Sequence, residues 1–375
     1  MTASATDVAT RLDEHVWAGI QSLIDDYAAV QPDDDVVIGY TPDSLEPAAW
    51  VYLALQERGF TPVLVHMLPL RDPGFYGRLR SVVPERRTKP GRCVCLLFEL
   101  HTMSHNKIVK TVFAKYNPGQ YDVVRAINSG RDLFTTGLAT GSAELSSLNT
   151  TVLERCRVSD TLRIKTENGT DLQVELDNSR FRWLSNRGVG QPGKFLIIPP
   201  GEVATFPARI NGTLMADFAI NVNMYYDGDA RLQANPVVAQ ITDGVLTGLH
   251  CKNPDVFAFL SSCFGRQHAI RVGELGFGTN KAVQVAVPEN SHLNERVPGV
   301  HIGFGAHNQT TDATGYSCDV HVDLCAKGGT IMFGDSQAPL DLASLMPSPN
   351  PHPVLLNSED IFSDDAEEDC CGILS

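Results

Sequence analysis

The chain has 375 residues, 43% of them hydrophobic, and a formal net charge of −14. That length is enough for two domains with cores of their own, and the acidic balance excludes a nucleic-acid partner, whose phosphates call for a basic surface. No apolar run reaches the roughly 18 residues of a membrane span, so no membrane partner is expected.

The amino-terminal stretch from Met1 to Asp13 has no basic segment ahead of an apolar core and does not read as a signal peptide. Nine cysteines in no regular framework fit a reduced, cytoplasmic setting. Residues 6–31 carry apolar Val8, Leu12, Val16, Ile20, Leu23 and Ile24 near the 3.6-residue period and predict a helix. Val36 to Tyr40 then reads as a buried strand, and Ala48 to Arg58 as a helix closed by Gly59. Pro62 to His66 and Cys93 to Phe98 are two further strands. Strands alternating with helices predict βαβ units and a mostly parallel sheet. No phosphate-binding glycine loop follows any of them, which leaves this domain to shape a substrate cleft or a homodimer contact.

From about Ser159 the pattern changes to short alternating runs with tight turns. Asn168-Gly169 and Asp243-Gly244 each separate two such runs and predict two-residue hairpins. One helix is expected around Pro254 to Cys263. The fold class is therefore α/β: an N-terminal α/β domain (1–157), a β-rich α+β metal-binding domain (158–345), and a Pro-rich, acidic, disordered tail (346–375). The tail holds seven acids between Glu359 and Asp369 and ends in Cys370-Cys371-Gly-Ile-Leu-Ser, without the spacing of a prenylation signal.

The second domain carries five residues able to bind metal. Glu202 lies in Pro-Pro-Gly-Glu-Val (199–203), Glu274 in Gly-Glu-Leu-Gly-Phe-Gly-Thr-Asn (273–280), His301 in Val-His-Ile-Gly-Phe-Gly (300–305), and His321 and Asp323 in Asp-Val-His-Val-Asp-Leu (319–324). Three carboxylates and two imidazoles suit divalent ions such as Zn²⁺, Co²⁺, Mn²⁺ or Fe²⁺. On a strand, residues i and i+2 share a face, so His321 and Asp323 can meet one ion while Val320 and Val322 pack behind. The glycines flanking Glu274 and following His301 permit close backbone approach and positive φ. His101 and His105, at i and i+4, have no third ligand nearby and lack the glutamate of a zincin motif, so they read as residues without a role in the site, the functional alternative being a cleft edge. In Asn280-Lys281 the lysine reads as a surface residue, the alternative being a cation beside a substrate carboxylate.

These motifs, with Asn211-Gly-Thr-Leu-Met-Ala-Asp217, occur in order over about residues 195–335 and resemble the family of aminopeptidases T and S. The resemblance implies a two-metal site with ligands Glu202, Glu274, His301, His321 and Asp323, Glu274 bridging, and a small peptide or amide as substrate. It also implies two bound ions of Zn, Co or Mn that activate water. A carboxylate off the metals would shuttle the proton, with Asp217 and Asp319 nearest by motif. The family places a catalytic tyrosine seven residues after the histidine matched by His301; Asn308 stands there in this chain, so His307 or Tyr316 is expected to take over that role. The same scaffold is similar to an iron-dependent 2,5-dihydroxypyridine dioxygenase, whose two histidines and one aspartate would be matched here by His321 and Asp323 alone. That alternative implies Fe(II) and an oxygenase.

Overall fold

The computed structural model describes residues 13–85, 87–100, 108, 111–190, 195–334 and 337–353. His101, His105 and the acidic Cys-Cys end of the tail lie outside the described residues. In chain order, α1 (Glu14–Ser22) starts at Asp13, whose side chain accepts from the His15 amide, and continues as a π turn over Leu23–Tyr27. It stops short of the expected residue 31 because Ala29 takes a positive φ of 44°. Then come β1 (Asp35–Tyr40), α2 (Leu45–Glu57), β2 (Val63–His66), α3 (Phe75–Val82), β3 (Cys93–Glu99) and β4 (Tyr121–Ile127). A longer helix, α4 (Ser142–Cys156), precedes β5 (Thr161–Lys165), β6 (Asp171–Glu175), β7 (Trp183–Asn186) and β8 (Phe195–Ile198). The remaining elements begin with β9 (Glu202–Thr205), β10 (Arg209–Ala216), β11 (Ala219–Val222), β12 (Val237–Thr242), β13 (Val245–Cys251) and α5 (Pro254–Phe264). They end with β14 (Val272–Gly278), β15 (Gly299–Gly305), β16 (His321–Lys327), β17 (Thr330–Met332) and β18 (Leu340–Asp341).

The chain divides into two units. One takes the chain up to Ser142 together with Gly188–Pro199, and the other takes Ala143–Arg187 and the chain from Pro200 onward. A contiguous boundary at 157 therefore gives way to an interrupted one. The physical reason is pairing: β8 hydrogen-bonds to β4, so its segment returns to the first unit's sheet.

The first unit holds a five-stranded sheet in the order β2-β1-β3-β4-β8, parallel throughout. Interior strands of a sheet covered on both faces read as continuous apolar runs, and every residue of β3 is buried. β2 is an edge strand and leaves Val63 and Leu64 exposed. One core cluster gathers Val37, Cys93, Cys95, Leu97, Phe113 and Tyr121.

The second unit holds two sheets whose named strand pairs are antiparallel. One runs β13-β12-β10-β6-β5-β17-β18 and the other β11-β16-β15-β14-β9-β7. Hairpins at Asn168-Gly169 and Asp243-Gly244 join β5 to β6 and β12 to β13, but only the second is the expected two-residue turn. Between Lys165 and Asp171 the Thr166 amide donates to the Thr170 carbonyl, and of the Asn168-Gly169 pair Gly169 alone takes a positive φ, 112°. Asp243 and Gly244 both take positive φ, 50° and 73°, as a two-residue turn of the primed type requires. No helix among the described residues is long and apolar enough to cross a membrane.

Candidate metal centre

The five singled-out side chains all start from the six-stranded sheet. Glu202 opens β9, Glu274 lies in β14, His301 in β15, and His321 and Asp323 in β16. Register places them. Gly303 pairs with Glu274 on one side and Asp323 on the other, and His301 faces Gly276. Neighbouring strands about 4.8 Å apart thus carry Glu274 and Asp323 across a strand that contributes no side chain at the shared position.

The side chains form two groups, Glu202–Glu274–His301 and Glu274–His321–Asp323, with one donor atom from each residue within 4.8 Å of the others. Glu274 belongs to both. His301 Nε2 lies 3.0 Å from Glu202 Oε1 and 3.4 Å from Glu274 Oε1, and His321 Nε2 lies 3.1 Å from Asp323 Oδ1. All five are buried. Even so, neither ring nitrogen of His301 and neither oxygen of Asp323 has an aligned hydrogen-bond partner. Buried polar atoms almost always find one, so convergent, unpartnered donors of this chemistry fit a cation between them. His321 is oriented from behind: its Nδ1 donates to the Ala306 carbonyl at 3.0 Å, which leaves Nε2 facing Asp323, protonated in the ion-free protein and able to exchange that proton for an ion. Asn223 Oδ1 fixes the same strand by accepting from the His321 amide at 2.8 Å.

The glycines serve space more than backbone angle. A Cβ on Gly276 would stand 1.9 Å from His301 Nε2, and one on Gly303 would meet His321 Cε1 at 2.7 Å and Asp323 Oδ1 at 2.9 Å. Both would fill the volume into which the donors point. Gly201, ahead of Glu202, does take a positive φ, 109°, and a Cβ there would press on Asn280 at 2.6 Å. Asn280 itself is fully buried, and its Nδ2 donates to the Pro200 carbonyl.

Charge is unbalanced. Burial alone would lower the pKa of His301 and His321, yet Glu202, Glu274 and Asp323 hold His301, and Asp323, Glu274 and Glu295 hold His321, well above the ordinary 6.5. Burial would raise Glu202, but Arg296 and His301 bring it down to about 2. Burial and the nearby Asp323 charge push a fourth acid, Glu295, up to about 8. So many buried carboxylates call for positive charge, which protons on the histidines supply when no ion does.

Of the three residues singled out for catalysis, Asn308 reaches this cluster: its Nδ2 donates to Glu274 Oε2 at 3.1 Å. His307 places its Nε2 2.7 Å from the Tyr316 carbonyl and its Nδ1 3.1 Å from the Gln309 carbonyl. Tyr316 donates its hydroxyl to the Gly305 carbonyl at 3.0 Å. Both are tied to their own loop. Asp319 is an exposed partner of Arg266, and Asp217 accepts from Asn168 and from the Lys327 amide. Neither is in the metal-suited groups, whereas Glu295 borders Asp323.

Three residues of the site escape sequence reasoning. Glu295 and Arg296 end a 3₁₀ turn (His292–Arg296) and are both buried. Asn149, inside α4, donates to the Glu202 carbonyl at 2.9 Å and so holds the backbone that presents the carboxylate. The one signal available for Glu295-Arg296 is their position just ahead of His301; Asn149 offers none.

The fold has solved counterparts. One is 2,5-dihydroxypyridine dioxygenase from Pseudomonas putida KT2440, at 14% identity over 92% of this chain and 99% of that one, with a TM-score of 0.61. Another is wild-type AmpT from Thermus thermophilus, at 14% identity over 88% of this chain and 97% of that one, with a TM-score of 0.56. The chain shares their fold. A family described as crocagin biosynthetic protein CgnE/B matches residues 223–333, a span that holds Glu274, His301, Asn308, His321 and Asp323 but not Glu202. In sequence, no curated protein is a match.

Proposed function

We propose that this protein is a metal-dependent hydrolase that cleaves a peptide or specialised amide bond, with Glu202, Glu274, His301, His321 and Asp323 as ligands to two divalent ions. The observation that carries the reading is the place of Glu274 in both groups of convergent donors. A carboxylate shared between two ligand sets is the arrangement of a two-ion hydrolytic site, with ions roughly 3.5–4 Å apart. When bound, Zn²⁺, Co²⁺ or Mn²⁺ would polarise the scissile carbonyl and make water acidic enough to attack at neutral pH. The chain's own residues do the rest. Asn308 holds Glu274 Oε2 and keeps the shared carboxylate in one orientation. The Ala306 carbonyl fixes the tautomer of His321. Glu295, the acid beside the two groups, is our candidate for taking up the proton. The match of residues 223–333 to a biosynthetic family favours a specialised substrate over general peptide turnover.

A second reading is a mononuclear Fe(II) oxygenase, favoured by the likeness to the dioxygenase over 92% of the chain. The facial triad of such enzymes is two histidines and one carboxylate around one ion. Here His321 and Asp323 group with Glu274, and the second histidine, His301, belongs to the other group. That division favours the hydrolase.

Metal-free protein reloaded with Zn²⁺, Co²⁺, Mn²⁺ or Fe²⁺ and assayed on aminoacyl anilides with and without O₂ separates the two. Turnover without O₂, restored by Zn²⁺, Co²⁺ or Mn²⁺, supports the hydrolase. Strict dependence on Fe²⁺ and consumption of O₂ would sink it.

A further inference from the structure

The two donor groups are not equivalent, and the difference lies in Arg296. Its Nη1 stands 2.5 Å from Glu202 Oε2 and 3.1 Å from Glu295 Oε2. The Glu202 carboxylate is therefore divided: Oε1 faces His301 at 3.0 Å, while Oε2 is taken by a guanidinium. Arg296 is 1% exposed, so neither water nor salt screens it. A guanidinium keeps its charge at any accessible pH. The other group is different. Among the described residues, no lysine or arginine pairs with Glu274 or Asp323; the group facing Asp323 Oδ1 is the imidazole of His321, itself a candidate ligand.

We infer that Arg296 acts as a built-in cation that weakens the Glu202–Glu274–His301 half, so that the protein holds one divalent ion firmly at Glu274–His321–Asp323 and a second one loosely. This rests on the hydrolase reading and deepens it. The argument is charge against charge. An ion drawn to Glu202 Oε1 must share that carboxylate with a positive group already on its other oxygen. In a buried site, like charges repel far more strongly than in water. The ion at the other half meets two carboxylates and one imidazole with no such competitor. The Arg296 backbone is also fixed, since its carbonyl accepts from the Asn280 amide at 3.0 Å.

Chelator-stripped full-length protein titrated with Mn²⁺ or Zn²⁺ by calorimetry, with metal content counted after desalting, reads this directly. The expected wild-type result is one tight ion and a second bound at least tenfold more weakly. Glu202→Gln should keep the tight ion within about threefold, whereas Asp323→Asn should weaken it by a hundredfold or more. Arg296→Gln should close the gap between the two affinities by at least tenfold. Should that variant fail to fold, the comparison of Glu202→Gln with Asp323→Asn decides the matter alone. Two ions of equal affinity in the wild type would overturn the inference and leave the hydrolase reading standing. So would loss of the tight ion in Glu202→Gln as complete as in Asp323→Asn. Failure to bind any divalent ion would overturn both.

Discussion

Gly276 lies directly across from His301 in the pairing of β14 with β15, and a Cβ on it would stand 1.9 Å from His301 Nε2. Gly276→Ala must therefore turn the imidazole away or part the strands. Overpacking of this kind costs about 1–3 kcal/mol, and the displaced nitrogen should lower metal affinity at least tenfold. Gly77 in α3 is the control, since a Cβ there meets nothing within 4 Å. Gly77→Ala should stabilise the helix by roughly 0.5–1 kcal/mol and leave metal content alone. Urea melts and metal analysis of both variants check this; a Gly276→Ala protein with full metal content would show that the glycine is not there to clear the site.

Proton binding should govern the stability of the ion-free protein. His301 and His321 sit well above their ordinary 6.5, and Glu295 is raised from 4.5 to about 8. A group with a raised folded-state pKa stabilises fully below its unfolded value and loses that contribution as pH climbs through the folded value. Glu295 thus gives up its share between about 4.5 and 8, and the histidines theirs above 6.5. Glu202, lowered to about 2, acts in the opposite sense and is lost only as pH falls below 4.5. Stability should peak near pH 5 and decline towards pH 9, by about 1.4 kcal/mol per pH unit for each extra proton the folded state holds. Bound Zn²⁺ or Mn²⁺ replaces those protons and should flatten or reverse the slope. Thermal melts in chelator and in metal across pH 5–9 test it, and an ion-free Tm that rises from pH 6 to 9 would refute it.

The strands and turns of this fold were legible because their signals are local. Continuous apolar runs mark β1 and β3, interior strands of the parallel sheet, and Asp243-Gly244 marks a hairpin through backbone angles few other pairs adopt, while at Asn168-Gly169 only the glycine takes such an angle. The candidate ligands were legible because acids and imidazoles stand out in apolar, glycine-rich strands. What sequence hides is pairing at a distance. The return of Gly188–Pro199 to the first unit depends on β8 meeting β4, which no periodicity encodes. The burial of Arg296 likewise depends on Glu202, distant in sequence, being brought beside it and Glu295. His307 and Tyr316 occupy the stretch expected to supply a proton donor, but backbone carbonyls of the same loop meet both.

Asn149 illustrates a residue with no sequence signal and a large expected effect. It is fully buried, with Nδ2 donating to Ser185 Oγ and to the Glu202 carbonyl, both at 2.9 Å, and Oδ1 accepting from Thr279 at 2.5 Å. Asn149→Leu keeps the shape and leaves these groups facing an apolar side chain. Each buried group left unpaired costs about 1–3 kcal/mol, so a total loss of at least about 2 kcal/mol is expected, read as a lower urea midpoint at unchanged slope. Metal affinity should fall as well, because the strand carrying Glu202 loses its anchor. A loss below about 0.5 kcal/mol would show that the backbone at Glu202 is held by β7 and β14 alone.

The sequence resemblance to the aminopeptidases implies a tyrosine at the position of Asn308, whose Nδ2 is committed to Glu274 Oε2 at 3.1 Å. Its Oδ1 accepts from the Gln309 side chain at 2.5 Å, so the amide is held in one orientation from both ends. An amide can donate a hydrogen bond to a developing oxyanion but has no proton to give at neutral pH. Removing or adding one such donor changes rates by about 10²–10³. The wild type should therefore be slow on simple aminoacyl anilides, and Asn308→Tyr should raise that rate by at least tenfold if the pocket is otherwise competent. The larger ring also removes the hydrogen bond to Glu274, so metal content must be measured alongside. Asn308→Leu, which deletes the same bond without supplying a hydroxyl, separates the two effects: it should lose activity and metal together. If Asn308→Tyr binds its metal fully and still gains nothing on any anilide, the native reaction is something other than hydrolysis of a simple amide.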